Sequence, residues 1–109
     1  EELNRAKLML EMLIEKRAED PESAARAKYL LGEYFFRMRE METAAKAFVE
    51  AATMYPRDRD FMASSIYRAA EIMLRIGKRM EAAGLVDRME KNFPESQWFL
   101  EAKKLLEDR

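Results

Sequence analysis

The sequence predicts an all-α fold made of antiparallel helix hairpins, and three observations support this prediction. Ala, Leu, Met, Glu, Lys and Arg dominate the 109 residues, and these residue types favour helices. There are only three Gly and three Pro, so long helices have few interruptions. The pattern of residues 31–56 returns 38 positions later, which indicates a repeated structural unit rather than a single irregular domain.

The repeat is visible in pairs of residues of similar character that lie 38 positions apart. These pairs are Gly32 with Ala70, Phe35 with Met73, Ala44 with Ala82, Phe48 with Val86, and Pro56 with Pro94. A small residue inside a helix is tolerated where a neighbouring helix must come close. A proline ends a helix because it cannot continue the hydrogen-bond pattern. Each pair therefore has a structural role in a helix hairpin without any chemistry.

Apolar spacing and local signals place six helices along the chain. They are predicted over residues 3–18, 22–38, 41–55, 61–76, 80–92 and 97–108. Asp20 caps the second helix, and Asp58 or Asp60 caps the fourth. Gly77 ends the fourth helix in a left-handed cap. Arg39 holds the equivalent position in the first hairpin, where a left-handed conformation costs about 1–2 kcal/mol, so this turn is predicted to differ.

Composition argues against several classes of function. The net charge is −1 and the pI is about 5.7, so there is no basic excess to neutralise nucleic-acid phosphates. The chain has no Cys and no His, which removes the usual ligands of zinc and haem and the usual nucleophiles and bases. Most of its carboxylates lie beside Lys or Arg at helical spacing, as in solvated ion pairs. We therefore predict no enzyme activity, no catalytic residue, no cofactor, no metal, no nucleic-acid partner and no membrane insertion.

The repeated pattern resembles the tetratricopeptide repeat, whose period is about 34 residues. The better copy runs Lys28-x-x-Leu31-Gly32-x-x-Phe35, Ala44-x-x-x-Phe48, Pro56, and the weaker copy runs Ile66-x-x-Ala69-Ala70-x-x-Met73, Ala82-x-x-x-Val86, Pro94. The resemblance implies helix-turn-helix repeats stacked as a right-handed superhelix, with peptides bound in its concave groove. Two departures are Lys28, where the family prefers a bulky apolar residue, and a period that is about four residues too long.

The same resemblance divides the chain as one domain over residues 1–109. Residues 1–20 form a half repeat, in which Met9 takes the place of Ala44 and Leu13 that of Phe48. Residues 22–56 and 58–94 form two repeats, and residues 95–109 form a capping helix with a polar outer face.

Short phrases at the helix joints are similar to one branch of this family. They are Tyr55-Pro56, Phe93-Pro94-Glu95-Ser96 and the ending Glu101-Ala102-Lys103-Lys104-Leu105-Leu106. The branch contains bacterial outer-membrane assembly lipoproteins and periplasmic proteins associated with the Tol-Pal system. This likeness implies a role in assembly of an envelope complex, and it favours the periplasm over the cytoplasm.

The first helix of each repeat lines the concave groove in this family, which implies a set of partner-binding residues. They are Arg26, Tyr29, Glu33, Phe36, Arg37, Ser64, Tyr67, Glu71, Leu74 and Arg75. The Tyr, Glu and Arg positions recur at a spacing of 38 and would form three ladders along the groove. A plainer alternative is that Glu33–Arg37 and Glu71–Arg75 are ion pairs four residues apart that only stabilise their helices.

The predicted function is a protein–protein interaction scaffold that binds a peptide or helix of a protein partner in the groove. The alternative is a self-association module, a homodimer formed through the N-terminal helix. That helix is predicted to lack a partner for an apolar face containing Leu8, Met12 and Ile14, and an uncovered face of this kind is a liability in a repeat array. We therefore expect either that another copy covers this face or that the native protein has more repeats upstream.

Overall fold

A computed structural model describes residues 2–108, and this part of the chain contains six α-helices and no β-strand. The helices are α1 (Glu2–Glu15), α2 (Pro21–Arg37), α3 (Met41–Met54), α4 (Arg59–Arg75), α5 (Arg79–Asn92) and α6 (Gln97–Glu107). The predicted all-helical class and the number of helices are confirmed. The largest difference is at the end of α1, which stops at Glu15, because residues 16–19 form turns.

The even-numbered helices begin at side-chain caps that lie 38 residues apart in the sequence. Asp20 accepts a hydrogen bond from the Ser23 backbone N–H at 3.1 Å. Asp58 accepts one from the Phe61 N–H at 3.0 Å, so Asp58 rather than Asp60 is the cap of α4. Ser96 accepts one from the Trp98 N–H at 3.1 Å. Each cap satisfies a backbone donor that has no partner within the helix.

The two hairpin turns have the same backbone conformation. Arg39 has φ +64° and Gly77 has φ +83°. In both turns a 6→1 backbone hydrogen bond closes the end of the helix, from Glu40 to Phe35 at 2.9 Å and from Lys78 to Met73 at 2.8 Å. The prediction that the Arg39 turn would differ is therefore wrong, because the closing hydrogen bonds hold Arg39 in a conformation that glycine adopts more easily.

Each helix packs against its neighbours in the sequence, and α4 also packs against α6. The closest approach is between α2 and α3, where a Cβ atom added to Gly32 would lie 3.0 Å from the Phe48 ring. Phe48 is completely buried beside Ala44 and Ala45. A Cβ at position 32 would be in tight contact with the Phe48 ring, so glycine at this position allows α2 and α3 to approach closely.

The core consists of three clusters of buried residues contributed by α2 to α6, and it is weak beneath α1. Near the C-terminal end, Met89, Phe93 and Phe99 are buried in one cluster. No residue of α1 is fully buried. Ile14 is half-buried and packs against the cluster of Ala24, Ala25 and Met54, so its predicted place on an uncovered face is wrong.

Candidate functional site

The ten predicted partner-binding residues lie on α2 and α4, and we call the surface that they form the α2–α4 surface. Contacts between side chains bring these two helices together. The Arg26 guanidinium is 3.6 Å from the Asp58 carboxylate, and the Arg68 guanidinium is 2.7 Å from the Glu33 carboxylate. The first helices of the two hairpins are therefore neighbours, as the ladder prediction requires.

One end of this surface contains an open pocket of about 430 Å³. Its lining comprises aromatic rings, one aliphatic side chain and charges of both signs, from Arg26, Tyr29, Leu30, Asp58, Asp60, Phe61 and Ser64. The Arg26 guanidinium carbon lies 5.5 Å from the centre of the Phe61 ring. Such a lining can bind an apolar side chain together with a polar or charged group next to it.

The tyrosine ladder contributes to packing between hairpins. The Tyr29 ring meets Phe48 edge-on at 4.8 Å and Phe61 at 5.8 Å. The Tyr67 ring lies 5.3 Å from Trp98 of α6. Burial raises the pKa of the Tyr67 hydroxyl, and the carboxylates of Glu71 and Glu101 raise it further against the opposing effect of Arg68. Aromatic pairs of this kind stabilise the contact between successive first helices.

Arg68 is the central charged residue of the α2–α4 surface. Its guanidinium pairs with Glu33 at 2.7 Å and with Glu71 at 3.7 Å. The guanidinium carbon also lies 4.8 Å from the centre of the Phe48 ring. Burial lowers the pKa of Arg68, but the hydrogen bond to Glu33 and the influence of Tyr29 outweigh it, so the pKa is above its ordinary value. Arg68 is thus a fixed cation that ties α2 to α4.

The glutamates of the predicted acidic ladder do not pair with the arginines of the predicted basic ladder. Among residues 2–108, Glu33 and Glu71 form ion pairs with Arg68 and not with the arginines four residues further on. The Arg75 guanidinium instead lies 5.5 Å from the centre of the Phe36 ring. Arg37 lines a groove beside α1. The alternative based on pairs four residues apart is therefore wrong, and both arginines keep exposed side chains.

A second groove of about 370 Å³ lies between α1 and α2, and we call it the α1–α2 groove. Its lining is mainly apolar and consists of Leu3, Ala6, Met9, Leu10, Leu13, Leu30, Glu33, Tyr34 and Arg37. Leu30 lines both this groove and the pocket of the α2–α4 surface. The two cavities therefore adjoin one another across α2.

Sequence reasoning missed Leu30, Asp58, Asp60, Phe61 and Arg68 as members of this region. A signal for Arg68 was available, because it lies 38 residues after Leu30 and so replaces an apolar residue of the repeat with a cation. Asp58 and Asp60 were considered as helix caps alone, although Asp60 also accepts a hydrogen bond from the Trp98 indole at 3.2 Å. Of the predicted residues, Ser64 donates to the Phe61 carbonyl, and Leu74 is half-buried.

Comparisons with known protein families, with curated proteins and with solved structures found no match. Within residues 2–108, no group of three or more acidic side chains is arranged to hold a metal ion. No helix in the same part of the chain is both long and apolar enough to cross a membrane.

Proposed function

We propose that this chain is a scaffold of tetratricopeptide type, without catalytic activity, that binds a helix or peptide of a protein partner. The proposal includes the superhelical stacking that the sequence resemblance implies. The observation that supports it most is the side-by-side placement of α2 and α4, with two adjoining cavities open along them. Binding sites of this kind combine an apolar lining with a few polar groups that fix orientation.

The surface favours a particular partner chemistry. Arg68 and Glu33 neutralise one another, so they hold the two helices together and offer little free charge. Arg37 and Arg75 are exposed and present forked hydrogen-bond donors to a partner. The α1–α2 groove presents methionine and leucine side chains, and methionine adapts to irregular surfaces. An amphipathic helix with one apolar face and acidic residues beside it has the matching chemistry.

The joints Tyr55-Pro56 and Phe93-Pro94-Glu95-Ser96 support a narrower form of the proposal. They are similar to those of envelope-assembly and Tol-Pal-associated repeat proteins. We therefore propose assembly of a bacterial envelope complex as the setting in which a partner is bound, with the periplasm as the compartment.

The experiment is selection of binders from a displayed library of helical peptides, followed by affinity measurement on variants. Arg37→Glu with Arg75→Glu reverses two exposed charges of the surface and is expected to weaken acidic binders at least tenfold. Lys46→Glu with Arg88→Glu is the matched control, because both residues are exposed on α3 and α5. Circular dichroism checks that both variants stay helical.

Loss of binding in the control variant with retention in the Arg37 and Arg75 variant would show that the partner binds elsewhere. Failure to select any peptide that saturates at micromolar concentration would argue against a scaffold function altogether.

A further inference from the structure

Helix α1 leaves several of its large apolar side chains exposed. Met9 is 65% exposed, and Leu8 and Met12 are each 60% exposed. The side that faces α2 includes a cation instead, because the Lys7 ammonium lies 5.9 Å from the Tyr34 ring centre and 5.7 Å from that of Phe35. A contiguous exposed patch of large apolar side chains is characteristic of an interaction surface.

We propose that α1 pairs, antiparallel, with α1 of a second copy of this chain across a two-fold axis near Met9. The stripe that would form the contact is Glu2, Ala6, Met9 and Leu13 of α1 together with Lys16, which directly follows α1, and these positions are spaced alternately four and three residues apart. This is the spacing of the contact positions in paired helices. All five residues of the stripe are exposed.

The stripe is complementary to itself only when the two copies run in opposite directions. The two-fold axis at Met9 places Glu2 opposite Lys16 of the second copy at both ends. It also places the small Ala6 close to the large Leu13 of the second copy, so the helices can approach closely. A parallel pair would instead place like charges together and leave a gap between two alanines. Opposite charges across a contact fix both its register and its partner.

The other end of the protein does not offer an alternative surface for the second copy. Lys103, Lys104 and Glu107 of α6 are exposed, and they form a charged outer side. Leu100 is exposed there as a single apolar residue. A head-to-tail contact between α1 and α6 would therefore bury charges against leucine and methionine, which is unfavourable. A symmetric contact uses the same patch on both copies and avoids this cost.

In the proposed dimer, part of α1 of the second copy binds in the α1–α2 groove. Within the chain, α2 packs against α3 and makes side-chain contacts with α4, and α4 likewise packs against both α5 and α6. In the described part of the chain, no helix occupies the corresponding place beside α1 and α2. Met9 and Leu13 line this groove, so α1 of a second copy can fill it.

The exposed apolar area of α1 determines the affinity that we expect for the dimer. Met9 and Leu13 of the stripe and Met12 beside it are each about half exposed, and a side chain of this kind has on the order of 100 Å² of apolar surface. Two copies would therefore bury roughly 300 Å² of apolar surface, or about 500 Å² in total at the usual polar share of an interface. This is well below the standard size, so we expect a weak, reversible dimer with a dissociation constant at the upper end of the micromolar range.

Sedimentation equilibrium of the full chain across micromolar concentrations is the test. The native chain is expected to form dimers and no larger species. Met9→Glu should abolish dimerisation, and Lys16→Glu should weaken it about tenfold, because Glu2 would then face a glutamate. Combining Glu2→Lys with Lys16→Glu restores the opposite charges and should restore the native dissociation constant. Leu100→Glu changes an exposed leucine of α6 and should leave the native dissociation constant of the dimer unchanged.

A monomer at all concentrations would overturn the proposal, as would a chain that assembles beyond dimers. A dimer whose dissociation constant is unchanged by Lys16→Glu would contradict the antiparallel register. Because Met9 also lines the α1–α2 groove, peptide binding is measured on the Lys16→Glu variant, whose changed residue lies outside that groove. Weakened dimerisation with retained binding to acidic peptides leaves the scaffold function intact.

Discussion

The two hairpins solve the same packing problem with different pairs of side chains. In the first hairpin, Gly32 of α2 faces Phe48 of α3, and the ring takes the space that a Cβ would need. In the second hairpin, Ala70 and Val86 hold the equivalent positions, and both are buried. The first pair combines a glycine, which has no side chain, with a large aromatic ring. The second pair combines two side chains of smaller size. The comparison indicates that the repeat conserves the combined volume of the contact rather than the residue types.

Replacement of Gly32 by leucine should have the largest effect on this comparison. The new side chain would collide with the Phe48 ring, which lies 3.0 Å from the position of its Cβ. We expect a loss of about 1–3 kcal/mol or more in the free energy of unfolding, measured by urea denaturation. Gly84→Leu is the matched control, because nothing lies within 4 Å of a Cβ at that exposed helical position.

The control should be neutral or stabilising by up to about 1 kcal/mol, since leucine favours helix over glycine. Equal stability of the Gly32→Leu variant and the native chain would contradict the close approach of α2 and α3.

Transfer of the first pair into the second hairpin tests whether the two positions act together. Val86→Phe alone should overpack the second hairpin and cost about 1–3 kcal/mol. Adding Ala70→Gly should recover part of this loss, because it removes the Cβ that the larger ring would meet. The difference between the double variant and the sum of the single variants measures the coupling. Additive effects would show that the two residues are independent and that volume is not exchanged between them.

Equivalent glutamates of the two hairpins should differ in their contribution to stability. Glu33 is 2.7 Å from the Arg68 guanidinium and bridges two helices, whereas Glu71 is 3.7 Å from it within α4. Glu33→Ala is expected to cost about 1–2 kcal/mol, because Arg68 would lose its charged hydrogen-bond partner in a half-buried place. Glu71→Ala should cost less than about 0.5 kcal/mol. Equal losses in thermal or urea denaturation would show that Arg68 has no preference between them.

Sequence reasoning recovered the elements that depend on local signals and missed those that depend on neighbouring helices. The helices, the Asp20 cap and the close contact at Gly32 follow from spacing, from a polar residue before Pro21 and from a glycine inside a helix. The ion pair of Glu33 with Arg68 did not follow, because the sequence shows which residues are three or four apart in one helix but not which helices adjoin.

Lys28 is a second residue whose contact with a neighbouring helix could not be predicted from the sequence. It stands where the family prefers a bulky apolar residue, and its ammonium pairs with Glu50 of α3 at 2.9 Å. The aliphatic part of a lysine can cover apolar surface while its charge reaches a partner. The sequence alone reports a departure from the pattern at this position and gives no sign of the compensating glutamate.

The two hairpin turns offer a change that should stabilise the protein. Arg39 and Gly77 have the same left-handed backbone, which costs a residue with a side chain about 1–2 kcal/mol. Arg39→Gly removes this strain but gives the unfolded chain more freedom, so we expect a gain of about 0.5–1 kcal/mol. Gly77→Arg should lose a similar amount, because no atom near Gly77 would obstruct the side chain and only the backbone conformation is strained. A loss of stability in Arg39→Gly would indicate that the Arg39 side chain has a compensating contact.

The smallest expected effect concerns the helix caps, where the two ends of the stack differ in chemistry. Asp20 caps α2 and Ser96, two periods later, caps α6. Hydrogen bonds from Ser23 lower the pKa of the Asp20 carboxyl below its ordinary value of 3.8. A carboxylate with a lowered pKa stabilises the fold above its unfolded-state pKa, and this contribution is lost as the pH falls through the folded-state pKa.

The thermal midpoint of the native chain should therefore fall more steeply below about pH 4 than that of Asp20→Ser, whose hydroxyl cap does not titrate. Ser96→Asp should have the opposite result and introduce a new loss of stability in the same pH range, since it places a titrating cap at α6. The measurement is the thermal midpoint of each variant from neutral pH to about pH 2. If the native chain and Asp20→Ser keep a constant difference across this range, ionisation of Asp20 contributes nothing to the cap, and its hydrogen bond to Ser23 is no stronger than that of a serine.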